Sequence, residues 1–254
     1  MKNIILSTLL IIGCYSLIAQ PTVYPEKKVE SFLIENATVH QGNGNVLYQT
    51  SVYCDSGKIV KIGKDLKVPE NTKKIQAEGK HLYPGLILAS SDIGIKEIGS
   101  GVKGTNDVFE LGDNNADIKT IVAYNANSLM INNIRSNGIL LTQVEPQGEL
   151  IGGLSSVVQL DAWNLEDAVV KKNVGLHIYF PSYKLQTFGR QASTNREKQY
   201  QDLLVRNAKQ MEEIENFFKA ARSYNQEAKH NKVNLKLEAV KGLFDGSLTL
   251  FAHA

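Results

Sequence analysis

The residue types that could bind a metal ion stand at the ends of apolar runs. Asp92 follows the run at 86–89, and His253 ends the apolar stretch 247–252. A carboxylate oxygen and an imidazole nitrogen both bind divalent ions such as zinc, and catalytic groups of α/β barrels stand at the C-terminal ends of strands. One carboxylate and one distant histidine fall short of the three protein ligands that a catalytic zinc site usually has. Position alone therefore assigns no metal site: a capping or loop-anchoring carboxylate is the preferred interpretation of Asp92, and one histidine at the end of an apolar strand is a weak signal.

Two further reactive side chains are interpreted as structural. His177 alternates with Tyr179 in the run 175–181, and a hydrogen-bonded histidine is the preferred interpretation there, with a metal ligand as the alternative. Cys54 lies in a strand-like run, and the sequence around it supplies no base that could activate a thiol. A small buried apolar role is therefore expected for Cys54.

Composition and charge exclude some classes of partner. The 254 residues carry a formal net charge of +2, and 43% of them are hydrophobic, which is typical of a globular protein. So balanced a charge gives no reason to expect nucleic acid or an acidic membrane surface as a partner. The length suits one large domain, or a small domain joined to part of a larger one.

The first 19 residues are predicted to be a secretory signal peptide. Lys2 precedes an apolar run at 4–12 that is too short to span a membrane, and Ala19 offers a cleavage site. Lipoprotein processing at Cys14 is the less favoured alternative. In both cases the mature protein is expected outside the cytoplasm, in the periplasm or secreted.

Residues 30–83 consist of short apolar or alternating runs separated by turn residues. The turn at 55–58 (Asp-Ser-Gly-Lys) lies between two alternating runs and predicts a β-hairpin. Strands of this kind cannot bury both faces alone. The region is therefore predicted to form one layer of a small β-sandwich.

From residue 84 to residue 254 the pattern alternates between strand and helix. Strands are predicted at 86–89 and 139–144, and a helix at 116–136 lies between them and ends at Asn137-Gly138. Strand, helix, strand is the repeating unit of an α/β barrel. The sequence therefore predicts the first part of a barrel.

Two glycine-containing stretches, 94–112 and 151–156, are expected to be loops outside the core. The longest helix is predicted to be capped by Ser193 or Thr194. Its apolar residues follow a period near 3.6 and should form a stripe that faces the core. The stripe comprises Tyr200, Leu203, Leu204, Met211, Ile214, Phe217, Phe218, Ala221 and Tyr224.

Several segments in series resemble the amidohydrolase superfamily. The segments 33–39 (Leu-Ile-Glu-Asn-Ala-Thr-Val), 55–63 and 77–80 resemble its opening β-sandwich, and Tyr83-Pro84-Gly85-Leu86-Ile87 resembles the strand that leads there into a His-x-His metal pair. Ser90 and Asp92 occupy the two histidine positions in this chain. The end of the chain, Phe-Ala-His-Ala, resembles the later metal strand of that family, and by this match His253 corresponds to a metal-binding histidine.

The resemblance implies a composite fold: a β-sandwich joined to a (β/α)8 TIM-like barrel. It points to the branch that contains imidazolonepropionase and prolidase-like proteins. The implied activity is hydrolysis of a carbon–nitrogen bond in a small-molecule amide or dipeptide, by water that divalent zinc or manganese activates. Because Ser90 is a poor zinc ligand, the metal site is expected to be altered, with Asp92 and His253 as the remaining candidate ligands.

Two other interpretations stay open. One is a metal-free relative that keeps the scaffold for binding or assembly, with an oligomer of this chain as one form. The other is that the chain is the first part of a longer protein, because four or five barrel strands precede Ala254 and a half barrel leaves an apolar edge exposed. In that case the missing partner is the C-terminal half of the same protein.

Overall fold

A computed structural model describes residues 30–97, 106–184, 196–227 and 230–254. The contacts divide the chain into two compact units, Met1–Pro84 and Gly85–Ala254, and each is described by itself. The predicted signal peptide and the predicted helix caps lie outside the described residues. Among the helices that are described, none is long and apolar enough to cross a membrane.

The first unit is built on a single sheet of five strands. These are β1 (Phe32–His40), β2 (Val46–Asp55), β3 (Lys58–Gly63), β4 (Lys73–Gln76) and β5 (His81–Leu82). The order is β3-β2-β1-β4, and both β4 and β5 pair in parallel with β1. The predicted hairpin at 55–58 is confirmed: β2 and β3 are antiparallel, and Ser56 and Gly57 both have positive φ, as a tight hairpin turn requires.

A small apolar cluster lies on one face of this sheet. Its buried members are Ala37, Val39, Val52 and Ala77, and Cys54 packs against them. Burial raises the pKa of the Cys54 thiol above its usual value. A thiol that is harder to ionise is a poorer nucleophile, in agreement with the structural role expected from the sequence.

The second unit contains a mixed sheet of five strands. These are β6 (Leu86–Ser91), β7 (Ile139–Val144), β8 (Ile151–Gln159), β9 (Val169–Tyr179) and β10 (Thr249–His253). The order is β10-β9-β8-β7-β6. Strand β6 is parallel to β7, and β10 is parallel to β9, whereas β8 is antiparallel to both of its neighbours.

Among the described residues, five α-helices accompany this sheet. They are α1 (Leu129–Ser136), α2 (Leu165–Ala168), α3 (Arg196–Gln226), α4 (Leu235–Ala239) and α5 (Gly242–Asp245). The predicted strand–helix–strand unit is confirmed, because β6, α1 and β7 follow one another and β6 pairs in parallel with β7. The helix is shorter than predicted: Ser128 caps it, its hydroxyl accepting from the Met130 amide, and a 3₁₀ turn at Thr120–Ala123 precedes it.

The expectation of a loop at 151–156 is wrong, because these residues form the fully buried first part of β8. Gly152 and Gly153 suggested a turn, but they serve close packing. A Cβ at Gly153 would lie 2.8 Å from the Ile118 carbonyl oxygen, and one at Gly152 would lie 2.9 Å from the Tyr179 ring. Glycine inside a strand often marks such a close approach.

The prediction that 94–112 lies outside the core is wrong for part of its described residues. Ile95 and Val108 are buried and belong to a cluster that includes Val144 and Val158 of the sheet.

The long helix α3 is confirmed, but only part of the predicted stripe is buried. The buried residues of the stripe are Leu203, Ile214, Ala221 and Tyr224, and Asn207 is a further buried residue of the helix.

Candidate metal centre

The carboxyl ends of four strands meet at one edge of the second sheet. Strands β6, β7, β9 and β10 run in the same direction, since β8 alone is antiparallel to its neighbours. Ser90 lies near the end of β6, Glu145 directly follows β7, His177 lies near the end of β9, and His253 ends β10. Residues far apart in the sequence are thereby brought together.

Glu145, His177 and His253 form a cluster of possible metal ligands. One ligand atom from each lies within 4.8 Å of the others. His177 Nδ1 lies 2.9 Å from His253 Nε2 and 3.4 Å from a Glu145 carboxylate oxygen, Oε2. Two imidazoles and one carboxylate are a donor set found in catalytic zinc sites.

His177 is held by a hydrogen-bond network beneath the cluster. Its side chain is fully buried, and its Nε2 lies 2.8 Å from Ser155 Oγ. Ser155 Oγ also accepts from Gln143 Nε2 at 2.8 Å and donates to the Gly175 carbonyl oxygen at 3.3 Å. When His177 carries its proton on Nε2, that N–H donates to Ser155 Oγ; Gln143 Nε2 lies 3.4 Å from the same nitrogen. This tautomer leaves the lone pair of Nδ1 directed at the cluster.

The electrostatics keep His177 neutral. Burial, followed by the neighbouring His253, lowers the pKa of His177 from 6.5 to about 4. A neutral imidazole is the form that binds a metal ion, so no proton has to be removed from His177 near pH 7.

Aromatic rings line both histidines. The Phe251 ring stacks on His177 with centroids 4.8 Å apart, and the Tyr179 ring stacks on His253 at 4.4 Å. The Tyr179 hydroxyl donates to the Pro146 carbonyl oxygen at 2.7 Å. Burial and then the charge of Glu145 raise the pKa of Tyr179 to about 12, so this residue stays protonated. The rings restrict the orientation of both imidazoles.

The third donor, Glu145, is fixed from the side of β6. Its Oε1 accepts a hydrogen bond of 2.6 Å from Ser90 Oγ, and its backbone N–H donates to the Ser91 carbonyl oxygen at 3.0 Å. The Glu145 side chain is 14% exposed. The cluster is therefore open on the side of Glu145 and His253 and closed at His177.

The residues present fit a divalent ion. Three donors leave room for a further ligand, as in catalytic zinc sites, and His177 has the outer-shell partner that metal-bound histidines usually have. Glu145, His177 and His253 would hold the ion. When bound, it would polarise a carbonyl oxygen and lower the pKa of water.

The structure separates the two candidate ligands that the sequence suggested. His253 belongs to the cluster. The Asp92 carboxylate lies 3.4 Å from Lys96 Nζ, and the Asp92 carbonyl oxygen accepts from the backbone amides of Ile95 and Lys96. Asp92 therefore anchors a turn, and the metal-binding cluster among the described residues does not include it.

The comparisons with known proteins bear on the fold. An amidohydrolase from Thermotoga maritima MSB8 is similar over 88% of this chain, with a TM-score of 0.70 and 21% sequence identity. This chain has the amidohydrolase fold. The resemblance expected from the sequence is confirmed at that level. The chain spans 58% of the length of the Thermotoga protein.

Similarities to other solved structures are local. A molinate hydrolase is 29% identical over 27% of this chain and 15% of its own, with a TM-score of 0.25. A protein described as a putative prolidase from Bifidobacterium longum is 24% identical over 26% of this chain and 18% of its own, with a TM-score of 0.24. Matches this short carry no argument. No family model and no curated protein matches the sequence.

Two members of the cluster were not selected from the sequence. The sequence does not single out Glu145, although its place directly after a buried strand is a usable signal. For His177 the sequence favours a structural role over a metal ligand, because alternation with Tyr179 in a strand is typical of a buried hydrogen-bonded histidine. The amidohydrolase fold brings both to the edge where His253 ends.

Proposed function

We propose that the protein is a metal-dependent hydrolase of the amidohydrolase superfamily whose metal centre is built from Glu145, His177 and His253. The observation that carries this proposal is the convergence of three ligand atoms within 4.8 Å at the carboxyl ends of strands. The donors expected on the first barrel strand are replaced by Ser90 and Asp92. The site is therefore an altered one, displaced towards β7, β9 and β10.

The reaction class follows from the family resemblance and from the donor set. Two imidazoles and a carboxylate suit zinc, and manganese is the second candidate ion. The substrate class is a small-molecule amide or a dipeptide whose carbon–nitrogen bond is hydrolysed. The fully buried His177 forms the closed end of the site. The rings of Phe251 and Tyr179 restrict the orientation of the two imidazoles.

The wider organisation belongs to the same proposal. Residues 30–83 would form part of a composite β-sandwich, and residues 84–254 would form part of a (β/α) barrel. Residues 1–19 would act as a signal peptide, so that the enzyme works in the periplasm or is secreted. Export is supported by the composition of the leader alone.

A metal-free binding or scaffold protein is the second candidate, and one contact favours it. His177 Nδ1 and His253 Nε2 are 2.9 Å apart and hydrogen-bond to each other directly. The two imidazoles thus satisfy one another without an ion. In this alternative the cluster is a polar network that stabilises the sheet edge.

Metal analysis of the purified protein separates the two candidates. After loading with zinc or manganese and removal of free ions, the hydrolase proposal predicts about one equivalent of bound metal. His253→Gln and Glu145→Gln should each lose most of it, whereas His230→Gln, which changes a histidine outside the cluster, should keep it. Less than about 0.2 equivalents in the unaltered protein would favour the metal-free alternative, because a catalytic site needs its ion.

A further inference from the structure

Ser90 stands where the family places a metal-binding histidine, yet its hydroxyl is committed to another residue. It donates to Glu145 Oε1 at 2.6 Å. We propose that Ser90 is a positioning residue, which holds Glu145 so that its second oxygen, Oε2, binds the metal ion. This inference rests on the proposed function, since it concerns the same metal centre.

The backbone brings the two residues together but leaves the carboxylate free to turn. Strands β6 and β7 pair in parallel, with Ser91 opposite Val144, and the Glu145 amide donates to the Ser91 carbonyl oxygen. These contacts fix the start of the Glu145 side chain. They do not fix its outer torsion angles, which are broad for glutamate. The Ser90 hydroxyl supplies that restraint.

The hydrogen bond from Ser90 also determines which carboxylate oxygen of Glu145 is available to bind a metal ion. The Ser90 hydroxyl donates to Oε1 at 2.6 Å, a short hydrogen bond that restrains this oxygen. With Oε1 engaged, Oε2 lies on the side of His177, 3.4 Å from Nδ1. Glu145 is thereby prepared to bind an ion through one oxygen before the ion arrives.

Other roles for Ser90 fit the geometry less well. A neutral serine hydroxyl is a poor zinc ligand, and the cluster of ligand atoms within 4.8 Å contains Glu145 and two histidines. A purely structural role would predict an effect on folding without an effect on the metal. A hydrogen bond to a ligand oxygen predicts weaker metal binding without a loss of folding.

Zinc affinity of the full chain, measured by calorimetry or with a competing chelator, tests this role. Loss of an outer-shell partner typically weakens metal binding by about 10–100-fold, and we expect that loss for Ser90→Ala. Ser90→Thr, which keeps the hydroxyl, should restore most of the affinity. Ser91→Ala is the matched control, because the neighbouring Ser91 hydroxyl bonds Thr142 Oγ1 at 2.7 Å instead.

A double-mutant cycle makes the test specific to the pair. In a Glu145→Gln background, which itself weakens binding, Ser90→Ala should cause little further loss because its partner carboxylate is gone. The positioning role is overturned if the unaltered protein binds zinc and Ser90→Ala binds it equally well. It is also overturned if Ser90→Ala causes the same loss with and without Glu145. If the unaltered protein binds no zinc, the proposed function itself fails.

Discussion

The Nδ1 atom of His177 lies 2.9 Å from the Nε2 atom of His253, where β9 and β10 end side by side. At this distance one proton lies between the two nitrogens. When the other nitrogen of His177 carries its proton and donates to Ser155, the proton between the two rings belongs to His253. In that tautomer His177 Nδ1 has a lone pair available for an ion. His253 Nε2 has one when the proton of His253 moves to its own Nδ1.

The buried His177 should make folding of the metal-free protein pH-dependent. Its pKa is about 4 in the folded chain, against 6.5 as the ordinary value. Between these values the unfolded chain binds a proton that the folded chain does not, so stability falls as pH drops from 6.5 towards 4 and levels off below. The loss is on the order of 3 kcal/mol.

Urea unfolding at pH 7 and pH 4.5 in the presence of a chelator measures this slope. His177→Gln cannot take up the proton, and its stability should change less over the same interval. An equal change in the two proteins would show that other groups cause the dependence.

Gly94→Ala should destabilise the second unit strongly. Gly94 has φ +79°, and a Cβ there would lie 2.4 Å from the buried Tyr124 ring. Both the positive φ and the overlap add to the cost, for which we expect more than about 2 kcal/mol. Gly138→Ala is the matched control, because Gly138 has φ +85° and nothing within 4 Å of a Cβ. It should cost about 1 kcal/mol by denaturant unfolding. Equal losses would contradict the packing argument.

Tyr124→Phe and Tyr179→Phe should differ in their effect on stability. The buried Tyr124 hydroxyl has no hydrogen-bond partner among the described residues, whereas the Tyr179 hydroxyl donates to Pro146 at 2.7 Å. Removing an unpaired buried hydroxyl should be neutral or stabilising, and removing a paired one should cost about 1 kcal/mol. Thermal unfolding of both variants gives the comparison, and a larger loss for Tyr124→Phe would be inconsistent with the structure.

Local patterns predicted the elements that depend on local chemistry. The hairpin at 55–58, the first parallel strand pair, the long helix and the last strand all follow from turn residues and periodicity. Strand β8 could not be predicted in this way. Gly152 and Gly153 have the composition of a turn. Glycine stands inside this buried strand because Ile118 and Tyr179 approach closely and because Gly153 has φ +128°.

Of the three residues in the proposed metal centre, the sequence suggested one as a ligand. His253 is a candidate because its segment, Phe-Ala-His-Ala, resembles the later metal strand of the amidohydrolase superfamily. Glu145 and His177 join it through sheet pairing across more than 70 residues of sequence, which single-residue patterns do not contain. The role of Ser90 likewise depends on the register between β6 and β7.

The most direct test of the account is a crystal structure of the zinc-loaded protein with anomalous data at the zinc edge. The account predicts one anomalous peak at about 2.0–2.2 Å from His177 Nδ1, His253 Nε2 and a Glu145 carboxylate oxygen. A fully loaded protein whose zinc peak is bound by Ser90 and Asp92, or lies away from these three residues, would contradict it.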